Sequence, residues 1–248
     1  MCIVAFLFAA SDVVALEHVV KSADGVEMVL VPEGEFIMGI PEDEPGSDKN
    51  PLRKFYLKAF YIDKYEVTNV QYKRCVAAGV CKEPSLLIDY PRTIHEDGKD
   101  WYRDESMGNY PVVGLTWRQA GIYCEWAGKK LPLSPEWEKA ARGTDGRKYP
   151  WGNEWDGSKA NWDEDGKIDG YKKIAPAGSF PQGTSPYGAM DMAGNIREWV
   201  DSLVLRGGSW YSLPASLRSG DPGHEYLVER DDDMGFRCAM DVKQPFSK

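Results

Sequence analysis

Asp191 and Glu198 stand seven residues apart with Gly194-Asn195 between them. A tight turn at that dipeptide brings two carboxylates and the intervening carbonyls toward one hard ion, and Ca²⁺ takes about six to eight oxygen ligands. The competing arrangement has the acids of this region capping loops or pairing with Arg197 and Lys167. Softer metals find fewer ligands. Five cysteines (Cys2, Cys75, Cys81, Cys124, Cys238) include no CxxC pair, and three histidines (His18, His95, His224) are scattered. A zinc site or a two-histidine iron site therefore lacks ligands. Cys75 and Cys81 flank the short segment Val-Ala-Ala-Gly-Val, which a disulfide closes without strain. Cys124 and Cys238 then form a long-range pair, and buried free thiols are the alternative for all four.

A serine hydrolase would need His224 beside Ser209 or Ser212 and an acid that no spacing identifies, so a solvated loop histidine is the simpler reading. Residues 211–233 have instead the character of a binding loop. Tyr211, Leu213, Leu217, His224, Tyr226, Leu227 and Val228 are mixed with Arg218, Arg230 and the run Asp231-Asp232-Asp233. Aromatics beside charge are what protein interfaces use as anchors. The acidic run reads as a solvated turn.

The elements that must position these residues are short. Residues 28–40 read as two strands around the turn Pro32-Glu33-Gly34, and 55–67 alternate aromatic and polar residues as a strand does. Thr68 caps a helix over 69–78 that ends at Gly79. A second helix follows Thr116, with Gln119 completing a capping box, and stops at Gly128. Ser134-Pro135-Glu136 starts a third, with Ser134 as its cap and Gly143 as its end. After Gly143 little regular structure is expected beyond strands near 205–210 and 235–240. The two late strands would hold the ends of the 211–233 loop, as a rigid scaffold presents a variable segment.

The chain has 248 residues and a net charge of −9, which argues against a phosphate-tracking nucleic-acid binder. It contains no apolar stretch of about 20 residues, so nothing clearly spans a membrane. The apolar run 2–10, followed by small residues, makes 1–16 a secretory signal or N-terminal anchor segment, with Ala9-Ala10-Ser11 or Val13-Val14-Ala15 as processing sites. No Lys or Arg precedes it. An extracytoplasmic (periplasmic or secreted) location follows and suits the disulfides. With 25 Gly, 16 Pro and 9 Trp, the fold should be loop-rich and pinned by aromatics. Trp151, Trp155, Trp162, Trp199 and Trp210 read as such pins rather than as a sugar groove.

Six ordered motifs resemble one family: Cys124-Glu-Trp-Ala-Gly-Lys-Lys-Leu-Pro132, Pro135-Glu-Trp-Glu-Lys-Ala-Ala-Arg-Gly143, Tyr149-Pro-Trp-Gly-Asn153, Asp191-Met-Ala-Gly-Asn-Ile-Arg-Glu-Trp199, Arg206-Gly-Gly-Ser-Trp210 and Gly235-Phe-Arg-Cys238. They are similar to the formylglycine-generating enzymes, or sulfatase-modifying factors, over 26–241. The resemblance implies an α+β domain, the formylglycine-generating-enzyme variant of the C-type lectin fold, with low regular secondary structure. It implies the Cys124–Cys238 disulfide, and it implies calcium. One Ca²⁺ site would use the side chains of Asp191 and Glu198 with the carbonyls of Gly194 and Ile196. A second would use Asn161, Trp162, Asp169 and Tyr171, in a shorter loop with extra acids at Asp163, Glu164 and Asp165.

Catalytic members of the family use copper, held by two cysteines, to oxidise a sulfatase cysteine to formylglycine. Cu(I) requires soft thiolates. The resemblance places those cysteines at Ser212 and Leu217, and no other cysteine falls between Gly208 and Cys238. No copper is expected. The implied role is a non-catalytic, calcium-stabilised binding or accessory module engaging a protein partner in the cell envelope through Tyr211, Leu213, Leu217, His224, Tyr226 and Arg230. The alternatives are the copper-dependent oxidase itself and a retroelement-diversified ligand-binding protein of the same fold, whose framing the Val204–Trp210 and Gly235–Arg237 segments resemble.

Overall fold

A computed structural model describes residues 17–85, 100–163, 166–221, 223–225 and 230–242. Strands β1 (Val19–Lys21), β2 (Glu27–Val31), β3 (Gly34–Met38), β4 (Arg53–Leu57) and β5 (Phe60–Asp63) come first. Helices α1 (Asn69–Ala77), α2 (Trp117–Trp126) and α3 (Ser134–Arg142) follow. The chain closes with β6 (Arg197–Trp199), β7 (Val204–Arg206), β8 (His224–Glu225), β9 (Met234–Gly235) and β10 (Ala239–Asp241).

Met28-Val29-Leu30-Val31 is buried without a break, the signature of a strand covered on both faces. It lies inside an antiparallel sheet ordered β1-β2-β5-β10, where Ile62 faces Val29 on one side and Ala239 on the other. The apolar run expected as one strand over 55–67 is broken at Lys58-Ala59, and its halves serve different sheets. β4 pairs with β3 in a separate two-stranded ribbon, with Phe36 opposite Phe55. A third sheet, β8-β7-β6-β9, carries the functional region and contains a parallel pair, β6 with β9. The strand expected over 235–240 divides likewise between β9 and β10.

The helices start where local chemistry directs them. Gln71 Oε1 accepts the Thr68 N–H at 2.9 Å ahead of α1. Thr116 and Gln119 exchange N–H···O bonds ahead of α2 at 3.2 and 3.3 Å. At α3, Ser134 is the first helical residue rather than the cap. Glu136 Oε2 instead accepts the Leu133 N–H at 2.8 Å, so the acid two residues into the helix satisfies the position before it.

Cys75–Cys81 and Cys124–Cys238 are both disulfide-bonded, and all four residues are buried. Cys2 lies outside the described residues, as does the segment 1–16. Trp199 fills the core beside α1 and α2, and Trp137 fills the one between α3 and the first sheet. Tyr149 stacks on Trp151, Trp155 tilts against both and meets Trp162 edge-to-face, with centroids 5.2–5.9 Å apart, pinning loops to one another. Trp199 Nε1 donates to Leu115 O, tying β6 to the segment just before α2.

Candidate functional site

The corner before β6 is built from three residues with left-handed backbone: Asp191 (φ 57°), Gly194 (φ 81°) and Asn195 (φ 62°). Gly194 has no alternative there, because a Cβ would stand 2.3 Å from Asn161 O. Gly194→Ala is expected to cost at least about 2 kcal/mol, since it combines a disallowed φ with a backbone clash; urea denaturation of wild type and variant measures it. The turn points the Asn195 amide inward as a junction. Its Oδ1 accepts from Asn161 Nδ2 (2.9 Å) and Ala175 N (2.8 Å), and its Nδ2 donates to both oxygens of Glu66 (3.1 and 3.0 Å).

Below the corner lie three buried carboxylates, Glu66, Asp191 and Glu198, with one guanidinium, Arg237. Arg237 forks onto Glu198 through Nε and Nη2, both at 2.7 Å, and donates to the carbonyls of Asp63, Lys64 and Met190. Trp137 Nε1 adds a third donor to Glu198 at 2.8 Å. Asp191 accepts only the Gly178 N–H in this set. Burial pushes the Asp191 carboxyl up to about 6. Burial, reinforced by Asp191 and then Glu198, holds Glu66 well above the usual carboxylate range. The cluster is thus short of positive charge, which a divalent cation would supply, so its donor set fits Ca²⁺ on charge and hardness. Arg197, the partner expected as the competing ion pair, is engaged elsewhere: its Nε and Nη2 fork onto Asp233 at 2.6 and 2.7 Å.

The second expected set converges around Asp169. Its Oδ2 accepts the N–H groups of Trp162 (2.8 Å) and Asp163 (2.7 Å), and its Oδ1 accepts that of Tyr171 (2.9 Å). Asn161 is fully buried; its Nδ2 donates to Lys173 O at 2.8 Å as well as to Asn195, but its Oδ1 has no hydrogen-bond partner. An orphaned amide oxygen is costly to bury and suits a hard cation, so this donor set fits as well. Asn195 joins the two sets into one network. Glu164 and Asp165 lie outside the described residues.

Beside the corner, Gly207-Gly208-Ser209 opens onto a small cleft of about 200 Å³ lined by Arg197, Tyr211, Ser212, Ser216 and Asp221. Ser212 Oγ accepts the Ser209 N–H at 2.9 Å and sits 3.3 Å from Ser209 Oγ. Leu217 is fully buried and packs with Tyr149 and Ala193. A Cβ on Gly208 would come within 2.8 Å of it. The two positions implied for copper thus hold a hydroxyl and a core aliphatic, and a copper centre does not fit here.

The residues expected on a single binding loop are dispersed. Tyr211 (44% exposed) lines the cleft, and Leu213 (74%) is exposed two residues further on. Leu217 is a correction: it is core, drawn inward by the aromatic cluster. Arg230 lines a different cavity, against Cys81 and α2. His224 forms β8, paired to Leu205, so the loop is itself anchored midway. Tyr226 lies outside the described residues. Two acids of the run are paired with neighbours, Asp232 with Lys173 at 3.0 Å and Asp233 with Arg197, while Asp231 is exposed. Glu66 and Arg237 were not foreseen as site residues; the one signal was Arg237's place in the Gly-Phe-Arg-Cys motif.

The domain model described as "Sulfatase-modifying factor enzyme 1-like domain" matches residues 16–242. The chain is 28% identical to a Bos taurus protein named inactive C-alpha-formylglycine-generating enzyme 2, over 89% of this chain and 90% of that one. It is 33% identical to the formylglycine-generating enzyme of Thermomonospora curvata, over 69% of this chain and 70% of that one. Among solved structures, PvdO from Pseudomonas aeruginosa superposes with a TM-score of 0.71 at 27% identity, covering 90% of this chain and 98% of that one. With the motifs, the loop-rich α+β architecture and these matches in agreement, the chain belongs to the sulfatase-modifying-factor (formylglycine-generating-enzyme) family, built on a C-type-lectin-like fold.

Proposed function

We propose that this protein is a non-catalytic member of its family, an extracytoplasmic module that binds a protein partner in the cell envelope and is stabilised by calcium. The observation that carries the reading is the cleft itself. Cu(I) chemistry needs two thiolates, and the positions that would supply them are Ser212, bonded to Ser209, and Leu217, sealed in the core. The Bos taurus relative, named as inactive, supports the same direction. Two buried disulfides accord with an oxidising compartment. Among the described residues no helix is long and apolar enough to cross a membrane.

Calcium would be held by Asp191 and Glu198 with the Gly194 and Ile196 carbonyls, and by Asn161 and Asp169 with the Trp162 and Tyr171 carbonyls. Bound there, it would supply positive charge to an acid-rich core. At an ion concentration about 100 times its Kd, each site gains about 2.7 kcal/mol, so the two together raise Tm by about 10–20 °C for a chain of this size. Calorimetry with Ca²⁺ and with chelator should give that difference in wild type. It should vanish in a variant carrying both Asp191→Asn and Asn161→Leu, and equal melting of wild type in both buffers would remove calcium from the account.

The partner-facing edge is Tyr211 with Leu213. Capture of a companion from membrane and periplasmic fractions by the purified protein should fall at least about tenfold in Tyr211→Ala/Leu213→Ser, as loss of an aromatic anchor implies. The variant should lose no more than about 2–4 °C in Tm: Leu213 is exposed, while Tyr211 accepts from Arg197 Nη2 at 3.2 Å and packs edge-on against Trp210. Undiminished capture would move the interface elsewhere on the surface.

A further inference from the structure

A cavity of about 410 Å³ lies away from the cleft, between the Cys75–Cys81 loop and the first turns of α2. Three cationic side chains line it, Lys82, Arg118 and Arg230, and no carboxylate does. On a chain of net charge −9 this is a local reversal of sign. None of the three has an acidic partner among the described residues, whereas other surface cations such as Arg103 and Lys148 do. Arg230 is held by one bond, Nη1 to Ser85 O at 3.2 Å, while its Nε is buried with no acceptor. A buried guanidinium N–H left unpaired is costly, so the position calls for an acceptor that no described residue provides. The remaining walls are mixed, with Tyr72, Val80, Cys81 and Ile122 beside the polar Thr116 and Gln119. Tyr72 is fixed by donating its hydroxyl hydrogen to Lys82 O at 3.0 Å, so the apolar wall and the cationic rim are tied together.

We propose that this cavity binds a small-molecule oxyanion carried on an apolar body, such as an aryl or short acyl carboxylate or phosphate. Arg118 and Arg230 would receive the oxyanion through their planar forks, with Lys82 adding a point charge at the rim. Tyr72, Val80 and Ile122 would enclose the apolar body. A cavity of this volume, with apolar and cationic walls side by side, is of the size small-molecule sites have.

Isothermal titration of the full chain with 3-phenylpropanoate, phenyl phosphate and inorganic phosphate tests the proposal. Saturable one-to-one binding of phenylpropanoate or phenyl phosphate is expected, at least about tenfold tighter than inorganic phosphate, with affinity falling as salt rises. Preference between the two aryl probes distinguishes a carboxylate ligand from a phosphate one. Arg118→Gln, an exposed substitution, should weaken binding roughly tenfold or more with unchanged melting. Val80→Glu sets a negative charge at the half-exposed mouth and should abolish binding without touching Arg230. The proposal is overturned if neither aryl probe binds at millimolar concentration, or if Arg118→Gln and Val80→Glu both bind as wild type does. Equal affinity for inorganic and phenyl phosphate would overturn the apolar half of the site.

Discussion

Replacing Cys124 and Cys238 together by alanine is expected to remove about 5 kcal/mol of stability, on the chain-entropy model for a bridge that closes a loop of 114 residues. Domains of this kind have about 5–15 kcal/mol in total, so the variant should melt at the edge of the physiological range or fail to accumulate folded. The bridge joins α2 to the residue just before β10, and Cys238 N also donates to Asp63 Oδ2 at 2.9 Å. Loss of the bond therefore loosens the edge of the first sheet. The Cys75–Cys81 bridge spans only six residues and should cost about 2 kcal/mol by the same reasoning. Urea denaturation of the two double variants should separate them by that margin. Equal losses would mean that native-state packing around Phe236 and Tyr123, and not loop closure, sets the value.

Arg237→Met should be the most damaging single substitution. Removing one partner of a buried ion pair leaves the other charge uncompensated and costs about 3–5 kcal/mol. Among the described residues the guanidinium is the cation facing Glu66, Asp191 and Glu198, and the carbonyls of Asp63, Lys64 and Met190 each lose a donor as well. The sign of the accompanying pH effect follows from the raised carboxyls. A carboxyl whose folded pKa exceeds its unfolded value contributes stability that is fully present below the unfolded pKa, about 4. That contribution disappears as pH rises through the folded value, about 6 for Asp191. In chelator, wild type should therefore gain stability from these groups as pH falls from 7 toward 5, and Arg237→Met should show a steeper gain. Melting profiles over that range test it; a flat profile in the variant would mean that water enters the cluster and neutralises the argument.

What was legible in the sequence was what local chemistry decides. Thr116 with Gln119, and the glycines at 79, 128 and 143, marked helix ends because capping and left-handed backbone act within a few residues. The Asp191–Glu198 corner was legible for the same reason, its turn being fixed by Gly194 and Asn195. β6 was not foreseen: Arg197-Glu198-Trp199 is too short to show a period, and its partners are supplied from Arg206 and Gly235. Alternation over 55–67 announced a strand without revealing that β4 and β5 belong to different sheets. Glu66 and Arg237 escaped because their role depends on Asn195, 129 residues from Glu66, and on Glu198, 39 residues from Arg237. Leu217 was misplaced because an aliphatic in a loop carries no mark of whether the loop turns it inward.

The order of strands in the first sheet bears on how the chain reaches its native state. β5 lies between β2, which is nearby in sequence, and β10, which arrives with the last described residues. Loop-closure entropy must be overcome before such distant pairings yield anything, so folding led by them is slow. An amino-terminal portion emerging alone would expose the Phe60–Asp63 edge with its hydrogen-bonding groups unmatched, a hazard for edge-to-edge association. Protection of that edge therefore waits until Ala239–Asp241 are available to pair with it.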